Sequence, residues 1–181
     1  MSTSAFDLAS ATKARTAEDM YREHSFSVYL WPDLWRGQKG AHLFDWTEVP
    51  FTEDSVDDVP DQQGIYAFKI RITDTIMPEH SIIVYFGQSG AGSQANLRKR
   101  FRQYLRDRDR GAKRPKFERL FRNWRDDLLF CFSSLDWDEK DLRKLENDLS
   151  DAVIPFCSSL DYSATIRRVV AVLHQPNNRF L

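Results

Sequence analysis

Gly64 to Ile72 reads GIYAFKIRI and Ser81 to Gly87 reads SIIVYFG. These two stretches decide the fold class. The first alternates and is rich in β-formers, the pattern of a strand. The second is mostly apolar, the pattern of a central strand. Thr73 to His80, which holds Pro78, is a connection. Two nearby strands with a short link predict an antiparallel pair.

Outward toward the C-terminus, Gly87 to Ser93 (GQSGAGS) is a loop. Its Gly90 and Gly92 suit turns, or the approach of a phosphate backbone. Leu97, Phe101, Tyr104 and Leu105 fall at helical spacing and predict a helix from about Ala95 to Asp109. Pro115 to Trp124 is a second, short helix. Leu128 to Ser133 (LLFCFS) is a third strand. Asp138 to Val153 is a helix with Asp138 as N-cap, a stripe of Leu142, Leu145, Leu149 and Val153, and Pro155 as its stop. Thr165 to His174 (TIRRVVAVLH) is expected to be another strand. The layout is α+β, a small sheet covered by helices.

Outward toward the N-terminus the composition changes. The first 60 residues carry 11 acidic residues against 5 basic ones, and three of the five tryptophans, Trp31, Trp35 and Trp46. Residues 10–24 are expected to be helical and 41–60 irregular, punctuated by Pro50 and Pro60. We divide the chain into an acidic extension over 1–59, packed on the rest, and a main domain over 60–181. The tryptophans fit packing better than base stacking.

At 181 residues the chain can bury one real core. Its 41% apolar and 13% aromatic residues exclude a disordered tail. Cys131 and Cys157 form no CxxC and no zinc-spaced cluster, so they are expected to be buried free thiols in a reducing compartment. No apolar run approaches the roughly 20 residues that span a membrane, and residues 1–24 lack the apolar core of a signal peptide. A soluble, cytoplasmic protein with no membrane partner is the expectation. His24, His42, His80 and His174 are scattered and take no role.

The net charge is only −1, but its distribution is uneven. Leu97 to Arg125 holds 13 of the 26 Lys and Arg, opposed by Asp107, Asp109 and Glu118 alone, a local net of 13 − 3 = +10. A solvated helix face is the bland explanation. Ten uncompensated positives in 29 residues exceed what solubility requires, and such a field favours a polyanion through counterion release. Arg98, Lys99, Arg102, Arg106, Lys113, Arg114 and Lys116 are the candidate nucleic-acid contacts.

A second set of residues carries chemistry. Tyr66 and Tyr85 lie on neighbouring strands. Arg100 and Tyr104, four apart, share a helix face. Glu146, four after Leu142 and three before Leu149, sets a carboxylate beside a buried stripe, where it needs a partner or a cation. Each tyrosine alone reads better as a core aromatic, and the glutamate alone reads better as the partner of one of the many arginines.

The order Gly64-Ile65-Tyr66, Tyr85-Phe86-Gly87-Gln88, Leu97 to Tyr104 (LRKRFRQY), then Glu146 with Pro155 nine later, resembles the GIY-YIG nuclease family over roughly Pro60 to Asp161. The resemblance implies a small three-stranded, mostly antiparallel sheet flanked by helices, with N-terminal and C-terminal additions. It implies an endonuclease hydrolysing DNA, with RNA left open, in restriction, phage defence or mobile-element biology. Glu146 would hold one Mg²⁺ or Mn²⁺, Arg100 would stabilise the phosphate, and Tyr66 and Tyr85 would orient or deprotonate the attacking water. Tyr104 stands where many members have His and some have Tyr. Gln88 and Ser158 are further candidates. The family's usual Asn, twelve after the glutamate, is here Ser158, which keeps a hydroxyl but lacks the amide. Ser159 and Gln175 to Asn178 are alternatives for that place. A weakened nucleic-acid-binding module is the competing expectation, and a homodimer or a subunit of a larger nuclease complex the expected assembly.

Overall fold

The computed structural model describes residues 31–37, 44–73, 78–90, 95–158 and 162–173, with isolated positions between 16 and 29 and at 76. Its centre is a four-stranded antiparallel sheet in the order β1-β4-β2-β3, made of β1 (Thr47–Pro50), β2 (Gly64–Ile72), β3 (His80–Ser89) and β4 (Leu128–Ser134). The register sets Tyr66 opposite Gly87 of β3 and Phe132 of β4, with a bulge after Phe68.

Strand alternation sends side chains to two faces, and both are covered. Tyr66, Phe68, Ile70, Phe130 and Phe132 face the larger core. It is closed by α2 (Leu97–Arg110) and α3 (Pro115–Trp124) through Leu97, Phe101, Leu105, Phe117, Leu120 and Phe121. Ala67, Phe86, Leu129 and Cys131 form a smaller core under Leu149 and Val153 of α4 (Glu139–Val153). β2 is therefore buried on both faces. Cys131 and Cys157 are buried free thiols, and burial pushes each up to about 12. Among the described residues no helix is long and apolar enough to cross a membrane.

The expected α+β class holds, with two corrections. The sheet has four strands, not three: Thr47–Pro50, within a stretch expected to be irregular, pairs with β4 from Thr47↔Phe132 to Pro50↔Leu129. Only Val49 of its four residues is buried, so the strand carries no readable alternation. Pro50 is tolerated because the strand lies at the sheet edge.

The second correction concerns the C-terminal strand expected over Thr165 to His174. Ala164–Leu173 is a helix, α5, and His174 lies outside the described residues. Ile166, Val169 and Val170 suggested a strand because they are β-branched. Together with Leu173, however, they keep the i, i+3, i+4, i+7 spacing of a helix. Ser163 begins it: its carbonyl accepts from Arg167 N–H at 2.9 Å and its hydroxyl from Ile166 N–H at 3.4 Å.

Several described residues of the extension make contact with the rest. Ala17, Glu23 and His24 are helical, while the remainder of the helix expected over 10–24 lies mostly outside the described residues. Phe26 packs edge-on against Phe156 and Trp124. Trp31, and Leu34 of α1 (Pro32–Gly37), pack on Ile154, Tyr162 and Ile166. Phe51 and Val59 enter the larger core itself. Trp35 and Trp46 stay partly exposed.

Candidate functional site

Five parts of the chain build one cleft of about 520 Å³. Tyr66 comes from β2, Tyr85 and Gln88 from β3, Arg100 and Tyr104 from α2, Lys113 and Arg114 from the turn before α3, and Glu146 from α4. Local structure explains each placement. Asn96 caps α2 by accepting from Lys99 N–H at 2.8 Å. Leu97, Phe101, Tyr104 and Leu105 then turn inward, which leaves Arg100 at the edge of the buried face. On α4, Asp138 accepts from Asp141 N–H at 2.8 Å, Leu142 is fully buried, and Glu146 is half-buried one turn on.

The three tyrosines form a cluster with ring centroids 6.0 to 6.3 Å apart. The Tyr66 and Tyr104 hydroxyls lie 3.2 Å apart, and Arg114 Nη2 donates to the Tyr104 hydroxyl at 3.0 Å. Burial, then the neighbouring phenols, holds Tyr66 well above the usual tyrosine range, and Arg100 only partly offsets this. Tyr85 is raised by burial, by Tyr104 and by Glu146, against an opposing pull from Arg114. Burial works against the Arg114 charge, but Tyr104 and Tyr85 outweigh it, and the guanidinium keeps its proton more firmly than usual.

Two glycines of the quoted motifs have steric reasons. A Cβ on Gly87 would run into the Tyr66 phenol, and one on Gly64 would meet the Ser133 carbonyl. Gly90 has φ +114° and sits against Gln63, so packing as well as backbone favours glycine there; Gly92 lies outside the described residues.

Two polar atoms of the cleft are buried without a hydrogen-bond partner among the described residues: the donor Nε of Arg100 and the acceptor Oε1 of Gln88. Arg100 spends Nη1 on Gln103 at 3.0 Å. Buried orphans of opposite kind in one cleft fit a ligand carrying both an anion and a cation or donor.

Among the described residues no three His, Cys, Asp or Glu side chains gather into a metal cage. The cleft instead offers hard oxygens: Glu146, Asp107 and the orphan Gln88 Oε1. Such a set fits Mg²⁺, which keeps several waters and binds through one or two carboxylates plus a substrate phosphate.

The other candidates divide. Arg102, Arg106 and Lys113 are exposed, as is Lys99. Arg98 is committed to the junction of the extension and the main domain: it pairs with Asp61 at 3.0 Å and donates to the Val59 and Asp57 carbonyls. Lys116 donates to the Ser158 carbonyl at 3.3 Å and lies over Phe156. Ser158 is buried and does not line the cleft; Tyr162 also donates to its carbonyl. Ser159 and Gln175 to Asn178 lie outside the described residues. Gln103 and Asp107 were missed from the sequence, although they follow Arg100 at i+3 and i+7 on the same helix face.

No family model, curated protein or solved structure matches the chain.

Proposed function

We propose that the protein is a metal-dependent endonuclease of the GIY-YIG type that hydrolyses DNA phosphodiester bonds. One observation carries the reading: Tyr66, Tyr85, Arg100, Tyr104 and Glu146, read from separated motifs, line a single cleft that also holds an orphan guanidinium donor. Phosphodiester hydrolysis places extra negative charge on the phosphate oxygens. The Arg100 Nε–H is a desolvated donor with no protein partner among the described residues, the kind of group that stabilises such charge without reorganisation. The fork geometry of Arg100 suits phosphate better than a lysine would.

Glu146, with Gln88 and Asp107 nearby on the cleft wall, would hold the divalent ion. When bound, that ion supplies Lewis-acid stabilisation of the developing charge. Tyr66 and Tyr85 hold their protons too firmly to act as bases unaided, so they donate hydrogen bonds and orient the attacking water. The exposed Lys99, Arg102, Arg106 and Lys113 supply the field that brings the polyanion to the cleft.

Supercoiled plasmid incubated with Mg²⁺ or Mn²⁺ tests the reading. Cutting is expected, and it should vanish in EDTA and in Glu146→Ala while plasmid binding survives. No cutting with any divalent metal, alongside tight and steeply salt-dependent binding, would replace the enzyme with a nucleic-acid-binding module.

A further inference from the structure

Arg114 sits at the N-cap of α3, and its place is fixed by the turn before it. Gly111, at φ +92°, lets the chain leave α2. Ala112 N–H donates to the Glu118 carboxylate at 2.7 Å, which folds that turn back onto α3. Pro115 occupies the first helical turn, where its missing N–H costs nothing. The guanidinium comes to rest over the Phe117 ring, 3.9 Å from its centroid, and 5.5 and 5.7 Å from those of Tyr85 and Tyr104.

A guanidinium donates and never accepts. In the 3.0 Å bond from Arg114, the Tyr104 oxygen is therefore the acceptor. At its other contact, 3.2 Å from the Tyr66 hydroxyl, either oxygen could donate. The charge-assisted bond draws electron density from the Tyr104 oxygen. That makes it a poorer second acceptor and its own O–H a better donor. The chain then runs from Arg114 to Tyr104 to Tyr66.

We propose that Arg114 is a positioning residue that turns the Tyr104 proton toward Tyr66 and so leaves the Tyr66 O–H as a donor for an oxygen atom in the cleft. The nature of that oxygen, on phosphate or attacking water, rests on the nuclease reading. The order of the hydrogen bonds does not. The high proton affinity of Tyr66 agrees with a donor. Nothing in the sequence marks Arg114 apart from its twelve basic neighbours in the 97–125 segment. Its bond to Tyr104 and its place over the Phe117 ring do.

The test uses the full chain with tyrosine labelled at the ring carbon that bears the hydroxyl. The NMR resonance of that carbon in Tyr66 reports whether the hydroxyl accepts or donates. Arg114→Gln should shift it, and Tyr104→Phe should shift it the same way. The double variant should move it no further than Tyr104→Phe alone. Arg114→Lys should restore part of the wild-type position. Tyr162, bonded to the Pro155 carbonyl in a different cluster, is the internal control and should not move. Arg114→Met keeps the contact with Phe117 but cannot donate, and it carries the same expectation should Arg114→Gln fold poorly.

A Tyr66 resonance unmoved in a folded Arg114 variant overturns the proposal. With a cutting wild type, Arg114→Gln should lower kcat on the order of 10- to 100-fold with KM little changed. It should add nothing to the loss from Tyr104→Phe. Losses that multiply would place Arg114 on the DNA directly and overturn the relay. A wild type that never cuts removes the nuclease reading alone, and the NMR result still decides the hydrogen-bond order.

Discussion

Gly87 shows how a motif letter becomes a contact. Register places it opposite Tyr66, and the phenol lies where its side chain would be. The backbone of β3 thus forms part of the floor beneath the tyrosine cluster. An added methyl must displace either the ring or the strand, and both are packed, since Tyr66 also stacks on Phe130 with centroids 5.2 Å apart. Overpacking of this kind costs about 1–3 kcal/mol. Gly87→Ala should therefore lower the free energy of unfolding in chemical denaturation by that amount. It should also reduce plasmid cutting more than plasmid binding, because Tyr66 moves while the basic face does not. A variant that melts and cuts like wild type would show that the phenol does not rest on this backbone.

At the level of elements, legibility followed local consistency. β2 and β4 matched the expected strands within a residue, and α2 and α4 ended within two residues of the expected bounds. In these elements period, cap and stop signals agree. β1 was not legible, because a four-residue edge strand with one buried side chain owes its existence to its partner β4. α5 was misread because β-branching and helical spacing pointed in opposite directions, and packing of Ile166 on Ile154 and Tyr162 decided for the helix. The cleft tyrosines, Arg100 and Glu146 were legible as a set only through the ordered motifs. Arg114 was read only as one of the nucleic-acid contacts, since its place beside Tyr104 depends on the turn at Gly111. For α4 the signals make a quantitative claim: Asp138→Ala removes the bond to Asp141 N–H and should cost about 1 kcal/mol in chemical denaturation. Glu146 lies two turns beyond the cap on a helix anchored by Leu142, so cutting by the folded variant should be close to wild type. A variant that keeps full stability would mean that solvent satisfies the first turn equally well.

Across the whole molecule, the basic segment is not a uniform surface. Structure divides its cations between folding and the open face. Arg98 ties α2 to Asp61 and to the carbonyls of residues 57 and 59. Arg108 donates to the Phe51 carbonyl and meets Asp109 and Glu53. These contacts hold the acidic extension against the basic helix and consume part of the field that the sequence displays. Arg102 and Arg106, one helical turn apart on α2, are exposed. Each phosphate neutralised contributes about −0.9 to the slope of log K against log salt on duplex DNA. Arg102→Gln combined with Arg106→Gln should therefore flatten that slope by up to about 1.8 in a salt titration of DNA binding, with the melting temperature nearly unchanged. Arg98→Gln should do the reverse, lowering stability and leaving the slope intact. An equal loss of slope from Arg98→Gln would mean that binding to DNA releases this arginine from Asp61 and from the carbonyls of residues 57 and 59, and the end of the extension would then lose its tie to α2 when nucleic acid arrives.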